Sequence, residues 1–421
     1  MVAPKQLFLG IAAGVGLGLA GRLFAGDSAW FAFAVQNVAH PTGQIFLRLL
    51  FLLAVPLIFA ALVTGVCELD LRHLGRLGLR TLGYTVVVSA IAVGIGLALV
   101  TIVRPGEVGS DLAGLANGLA ETTKVPPPPS ESGVELLIQL VPNNPVKAAA
   151  TGDLVGILFF ALLFGIGLAL TPGESAKRLR EVIDGLYQVT MRLVAGVLKL
   201  APIGVGALLF TTTARLGVDV LPKVGAYVAV VVVGLALHLC VTYPLILRFL
   251  AGRSPLAFFR DVRPAMLTAF ATASSAATLP AALEVADARL RLPRHVSRFV
   301  LTAGASMNQN GTALFEGVTV LFLAQAYGVE LTLGHQALLL VICVLAGIGT
   351  AGVPAGSLPV IAMILATVGV PAEGLALIVG VDRLLDMCRT TLNVTGDLVA
   401  AAYVAHAEGM TSEALPGDKS T

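Results

Sequence analysis

The chain has 421 residues, 57% of them hydrophobic and 12% charged, with a mean hydropathy of +0.90 and a formal net charge of +2. Soluble globular proteins carry about 25% charged residues, so the composition excludes an ordinary soluble domain and indicates a multi-pass protein of a lipid bilayer. No basic cluster interleaved with aromatics points to nucleic acid, and Cys67, Cys240, Cys343 and Cys388 show neither CxxC nor metal-ligand spacing, so no cofactor is expected.

A spanning helix needs about 20 apolar residues. On that measure the apolar blocks predict an all-α membrane protein of about eight transmembrane helices plus two re-entrant helical hairpins. Gln6 to Phe24 follows Lys5 and reads as a retained first helix rather than a signal peptide. Gly43 to Val66 is a second span and Leu82 to Val103 a third. Arg72, His73, Arg76 and Arg80 lie between them, which puts that loop and the N-terminus in the cytoplasm. The connection Arg104 to Lys147 carries Glu107, Asp111, Glu121, Glu131 and Glu135 together with Pro126 to Pro129, and reads as a stiff extracellular linker. Leu154 to Leu170 belongs to a fourth span. Lys177, Arg178 and Arg180 then mark a cytoplasmic turn before a long helix from about Glu181 to Leu216. Lys223 to Phe249 is the next span, ending inside at Arg248, Arg253, Arg260 and Arg263.

Beyond Pro255 the apolar stretches are interrupted by small polar residues, Gly and Pro. Leu267 to Leu283 contains TAFATASSAATLPAA and Leu338 to Thr367 contains AGIGTAGVPAGSLPVIAM. Each reads as two half-helices meeting at a polar tip, which is tolerated at membrane depth where the backbone is buried in protein or lines a cavity; kinked spanning helices are the alternative. Arginines flank the first segment on both sides, at Arg260 and Arg263 and at Arg289, Arg291, Arg294 and Arg298, which favours a hairpin entered from the cytoplasm. Phe299 to Tyr327 then crosses outward, the second hairpin dips in from outside, and Val379 to Tyr403 returns the C-terminus to the cytoplasm. Hairpin followed by helix thus occurs twice with opposite entry, and the two helices share an N-x-x-G echo at Asn308 to Thr312 and Asn393 to Asp397. This is the pattern of inverted repeats that bind substrate and coupling ion near the midplane.

The last helix, VGVDRLLDMCRTTLNVTGDLVAAAY, holds three carboxylates and two arginines in an apolar segment. Asp382, Asp386, Arg389, Asn393 and Asp397 are spaced 4, 3, 4 and 4, so they share one helical face. Ionisable groups at mid-bilayer cost at least about 2.5 kcal/mol each and line cavities or ion paths. The stripe is therefore a candidate site, with internal salt bridging such as Asp386 with Arg389 as the alternative. Half-helix tips at Ser274, Ser275 and Val353 to Gly356 offer anion-binding N–H groups, Arg389 a fork for a carboxylate, and Asp386 a partner for an ammonium. These features fit an acidic amino acid, while Asn308, Asn393 and Asp397 offer hard oxygen ligands to a small cation.

At these residues the chain resembles the glutamate/aspartate transporter family, the dicarboxylate/amino acid:cation symporters, from the first span to about Ala405. The motifs are the serine-rich tip, GTAGVP, and D-x-x-R-T-x-x-N-x-x-G-D at Asp386 to Asp397. The resemblance implies a homotrimer, not an enzyme, in the cell (inner) membrane, in which a scaffold holds a moving transport domain. It divides the chain into scaffold helices at 1–80, a transport-domain helix at 81–103, a linker at 104–147, scaffold helices at 148–218, the transport domain at 219–407 and a tail at 408–421. It implies that Arg389 and Thr312 bind the substrate side-chain carboxylate, Asp386 the amino group and Asn393 the main-chain carboxylate, with Ser274, Ser275, Val353 and Thr390 completing the site. Gly304, Asn308, Asn393 and Asp397 match one sodium site, and Ser306 with the backbone of Gly347, Ile348 and Thr350 matches another.

The departures concern coupling. Where the family has N-M-D-G-T this chain has Gln309 and Asn310, and where a Thr-Ser pair is usual it has Val88-Ser89, so one further sodium site is expected to be lost. Glu316 matches a position where proton-coupled members carry a Glu. Burial disfavours a carboxylate's charge, which makes Glu316 a candidate proton carrier unless it lies in water at the outer helix end. The transported cation is thus H+ and/or Na+, and the substrate an acidic amino acid or a C4-dicarboxylate. An intramembrane serine hydrolase is disfavoured because no histidine is paired in motif with Ser274 or Ser275, and a plain channel needs no pair like Arg389 with Asp386.

Overall fold

Backbone polar groups in apolar surroundings must pair within their own segment, and the chain meets this requirement with helices. The computed structural model describes residues 4–26, 28–68, 75–107, 141–217, 220–349 and 357–409, and no strand occurs among them. Helix α1 (Pro4–Ala25) is followed by short α2 (Ala29–Phe33), which passes through a π-helical turn (Ala34–Ala39) into α3 (His40–Glu68). Helix α4 (Gly75–Val103) ends in a 3-10 turn (Pro105–Glu107). The expected stiff linker lies largely outside the described residues, including its four prolines. Its far end forms α5 (Pro145–Thr151), where Asn144 caps by accepting from the Val146 and Lys147 N–H groups at 2.9 and 3.1 Å. Helix α6 (Leu154–Leu170) follows.

The single long helix expected over Glu181 to Leu216 is two helices, α7 (Glu174–Leu198) and α8 (Ala201–Leu216), bent by 55°. Pro202 causes the break. It lacks the N–H needed to continue the ladder and its fixed φ suits the first turn of a new helix. The end of α7 tightens instead through Lys199 N–H to Gly196 O and Leu200 N–H to Val197 O. The next span also has a fault: α9 (Val220–Leu237), a π-helical turn (His238–Thr242) and α10 (Tyr243–Phe249), with Pro244 in the first turn of α10.

Helices α11 (Pro255–Thr272) and α12 (Ser275–Ala288) pack against each other across a two-residue tip. Ala273 takes left-handed φ at 49°, and Ser274 then caps α12 by accepting from the Ala277 N–H at 3.2 Å. The segment expected to cross as one helix from Phe299 to Tyr327 is α13 (Arg294–Met307) and α14 (Asn310–Ala326), parted at Asn308 and Gln309. Helices α15 (Leu333–Gly349) and α16 (Leu358–Thr367) lie on either side of 350–356, where the second hairpin tip is expected and which falls outside the described residues, and α17 (Leu375–Ala407) runs unbroken.

Among the described residues three segments are each long and apolar enough to cross a membrane, Ala29–Cys67, Leu77–Glu107 and Pro222–Phe249, and the bent α7 and α8 pass that test together. Helix α1 packs along α8, and α3 lies against α6, α7 and α8, where the Thr64 hydroxyl donates to Asp184 Oδ1 at 3.0 Å. Helix α17 is the axis of the other helices, touching α9 to α14. Helix α4 is fastened to this group at both ends. Arg80 reaches the Ala407 carbonyl and pairs with Glu408 at 2.8 Å. At the opposite end Lys223 Nζ donates to Gly106 O at 2.8 Å and Gln325 Nε2 to Val100 O at 3.1 Å.

Candidate functional site

The polar stripe of α17 is buried along its length, at Asp382, Asp386, Arg389, Thr390, Asn393 and Asp397. Arg389, 2% exposed, is its centre. Its Nε and Nη2 meet Asp386 Oδ1 at 3.0 Å, its Nη1 meets Asp382 Oδ1 at 3.1 Å, and its guanidinium carbon lies 4.2 Å from the ring centroid of Phe315. Two carboxylates thus hold the fork in one orientation over an aromatic face. The salt bridge weighed from the sequence is made, and it doubles as an orientation device for the residue expected to grip an anion. Phe315 acquires its contact only through tertiary packing of α14 on α17, which spacing does not reveal, whereas Asp382 lies two turns before Arg389 on the same face of α17.

The break between α13 and α14 faces this stripe. Asn308 and Gln309 leave helical geometry, with ψ of 64° and 52°, so the last carbonyls of α13 lose the donors a continuing helix would supply. Gln309 reclaims one of them, its Nε2 donating to Ala305 O at 3.0 Å. Its Oε1 accepts from Asn393 Nδ2 at 2.6 Å and from the Thr312 hydroxyl at 3.4 Å. Asn393 is fixed on both sides, since Nδ2 also reaches Thr312 Oγ1 at 3.1 Å and Oδ1 accepts from the Gly311 N–H at 2.7 Å. Thr312, Asn393 and Gln309 are therefore one network at the start of α14.

A second cluster lies one turn further along α17. Asp397 Oδ1 accepts from Asn308 Nδ2 at 2.9 Å, while Asn308 Oδ1 is buried with no hydrogen-bond partner among the described residues. Gly304 makes the approach possible, because a Cβ there would come within 2.6 Å of Asp397 Oδ1. An acceptor-only carboxylate and an orphaned amide oxygen beside a helix break suit a hard cation. Ser306 sits in the last turn of α13, and Gly347 and Ile348 in the last turn of α15, with a Cβ on Gly347 falling 3.5 Å from Gln309 O. Thr350 and Val353 lie outside the described residues. Ser274 and Ser275 are buried at the tip of a helix pair that packs on α17.

The positions that depart from the family pattern close on themselves. The Ser89 hydroxyl donates to Asn310 Oδ1 at 2.6 Å, Asn310 Nδ2 donates to Tyr243 Oη at 3.1 Å, and the Tyr243 hydroxyl donates to Leu392 O at 3.2 Å. Val88, beside Ser89, is buried and contributes no oxygen. Tyr243 gives no local signal in the sequence, because its partners lie 67 and 149 residues away. Glu316 is fully buried in the middle of α14, not in water at its outer end.

A family model described as the sodium:dicarboxylate symporter family matches residues 4–407. The chain is 33% identical over 411 residues to a proton/sodium-glutamate symport protein of Bacillus subtilis (strain 168), covering 97% of this chain and 93% of that protein. It is 33% identical over 376 residues to a proton/glutamate-aspartate symporter of Escherichia coli (strain K12), covering 88% and 85% of the two chains. It is also 34% identical over 376 residues to a C4-dicarboxylate transport protein of Rhodospirillum rubrum, covering 89% and 83%.

Proposed function

The chain belongs to the sodium:dicarboxylate symporter family, and from that premise we propose that it is a secondary active symporter. It carries an acidic amino acid, aspartate or glutamate, across the cell membrane by alternating access, coupled to cations. The carrying observation is Arg389, buried over Phe315 between Asp382 and Asp386 and facing the break between α13 and α14. In this reading the substrate carboxylate takes over the Nε and Nη2 donors now given to Asp386. The displaced Asp386 accepts the substrate ammonium, so each charge exchanges one partner for another and none is left bare in a low-dielectric site. Thr312 helps Arg389 at the side-chain carboxylate and Asn393, hydrogen-bonded to Thr312, serves the main-chain carboxylate, with Thr390, the tip serines Ser274 and Ser275, and Val353 completing the site.

The coupling cation binds between Asp397 and Asn308 beside Gly304, with Asn393 one turn away, and a second position uses Ser306 with the backbone of Gly347, Ile348 and Thr350. The closed chain Ser89, Asn310, Tyr243 supports the absence of a further sodium position, since its oxygens and N–H groups already satisfy each other. Glu316 carries a proton. Eight transmembrane helices and two re-entrant hairpins, as inverted repeats, form a scaffold (1–80 and 148–218) and a transport domain (81–103 and 219–407), with both termini in the cytoplasm. An exposed apolar row on α7, Leu179, Val182, Leu186, Val189 and Leu193 at 3-4 spacing, supports assembly as a homotrimer. The similarity to a C4-dicarboxylate transport protein favours a second reading in which the substrate lacks the amino group.

Uptake of labelled aspartate, glutamate and succinate into proteoliposomes, with sodium and proton gradients imposed separately, tests the proposal. Accumulation driven by either gradient is expected, and its absence under both would refute symport.

A further inference from the structure

Asp386 faces two guanidinium groups. Its Oδ1 takes Arg389, and its Oδ2 lies 3.7 Å from Nη1 of Arg383, one turn earlier on α17. The Arg383 side chain is 26% exposed against 6% for Asp386, so the second guanidinium reaches inward from the more open edge of the stripe. On its own a partly exposed pair at that distance contributes little. Its importance arises when Arg389 is drawn away.

Resting on the substrate reading above, a substrate carboxylate removes Arg389 from Asp386. A buried carboxylate that loses its guanidinium must find another cation or stand as an uncompensated charge. An acidic amino acid brings its ammonium, but a C4-dicarboxylate brings nothing. From this geometry we infer that Arg383 is a specificity-determining residue: it holds Asp386 when the substrate has no ammonium, so the same site accepts C4-dicarboxylates as well as acidic amino acids. Charge points the same way. Asp382 and Asp386 are matched by Arg383 and Arg389 before any substrate arrives, whereas with Arg389 alone the cluster would be net negative and would repel a dianion. A guanidinium keeps its charge at any physiological pH, so this tolerance is built in rather than switched.

The test is titration of the purified full-length protein with L-aspartate and with succinate. The wild type is expected to bind succinate within about tenfold of aspartate, and Arg383→Gln to shift the ratio of dissociation constants toward aspartate by at least about tenfold, one charge-assisted contact's worth. Arg383→Lys, which keeps the charge, should restore the ratio, and in an Asp386→Asn background Arg383→Gln should no longer move it. A structural role would weaken both ligands alike. Wild-type protein that binds aspartate but not succinate, or an Arg383→Gln ratio equal to the wild type, overturns the inference and leaves the acidic amino acid reading standing. Failure of the wild type to bind either ligand overturns that reading itself.

Discussion

Replacing Arg389 with lysine separates charge from geometry at the centre of the site. Lysine retains one positive charge but presents a compact ammonium in place of a planar fork. The fork now gives Nε and Nη2 to one carboxylate oxygen at 3.0 Å and Nη1 to another at 3.1 Å, over a ring at 4.2 Å. Loss of one of two parallel charge-assisted bonds to the substrate carboxylate costs about 1.5–3 kcal/mol. Loss of the guanidinium's seat over Phe315 adds about 0.5–2 kcal/mol. Together that is about 2–5 kcal/mol, or about thirtyfold to several thousandfold in affinity at 1.4 kcal/mol per decade. Calorimetric titration with L-aspartate reads the effect, and thermal unfolding of the same sample shows whether Asp382 and Asp386 still find enough partners for the fold to hold. A folded Arg389→Lys protein that bound aspartate within about threefold of the wild type would refute the assignment, since no single hydrogen bond of that class is so weak.

Gly304→Ala places a Cβ 2.6 Å from Asp397 Oδ1, so the carboxylate must move off α13; the cation concentration for half-maximal uptake is expected to rise at least about tenfold, and an unchanged value would remove Asp397 from the cation site. Asn310→Asp puts a carboxylate between Ser89 and Tyr243, and the dependence of uptake on sodium should steepen as the new charge demands a counter-ion; an unaltered slope would mean that the closed network is not a displaced sodium position. Glu316→Gln should abolish stimulation of uptake by an inward proton gradient in sodium-free buffer while leaving exchange of internal for external substrate intact, and a persistent proton response would assign the carrier elsewhere.

The α17 stripe was legible in the sequence because it depends on one unbroken helix, where spacings of 4, 3, 4 and 4 fix the shared face whatever surrounds it. The turn between α11 and α12 was legible for a local reason too: small polar residues interrupt the apolar run at Ser274 and Ser275, and Ser274 caps the helix that follows. What failed to show were faults within apolar runs. Pro202 divides α7 from α8, yet it sits at a position where proline also begins an ordinary helix, so the residue alone does not mark a break. The N-x-x-G echo was legible, but its two copies differ in backbone. The chain parts at Asn308 and Gln309, whereas Asn393 to Gly396 continues as helix, with the Thr395 hydroxyl donating back to Thr391 O at 2.7 Å. The pairings of Asn310 with Tyr243, of Arg389 with Phe315 and of Gln309 with Asn393 cross between elements far apart in the chain. No periodicity encodes such contacts.

The same contacts constrain the coupling. Of the three carboxylates on α17, Asp382 and Asp386 are matched within the chain by Arg389 and Arg383. Asp397 is not; among the described residues it has the dipole of Asn308 and no guanidinium or ammonium within ion-pair distance. A buried carboxylate so placed is stabilised by a bound cation far more than by one amide donor. The demand for a cation is therefore concentrated at Asp397, and Asn310, being neutral, creates none. Glu316, fully buried, avoids bringing a further negative charge into the core if it crosses protonated. On the proposed reading, a substrate with one net negative charge would travel with a cation at Asp397 and a proton at Glu316, and the need for sodium would be smaller than in a site with a carboxylate at position 310.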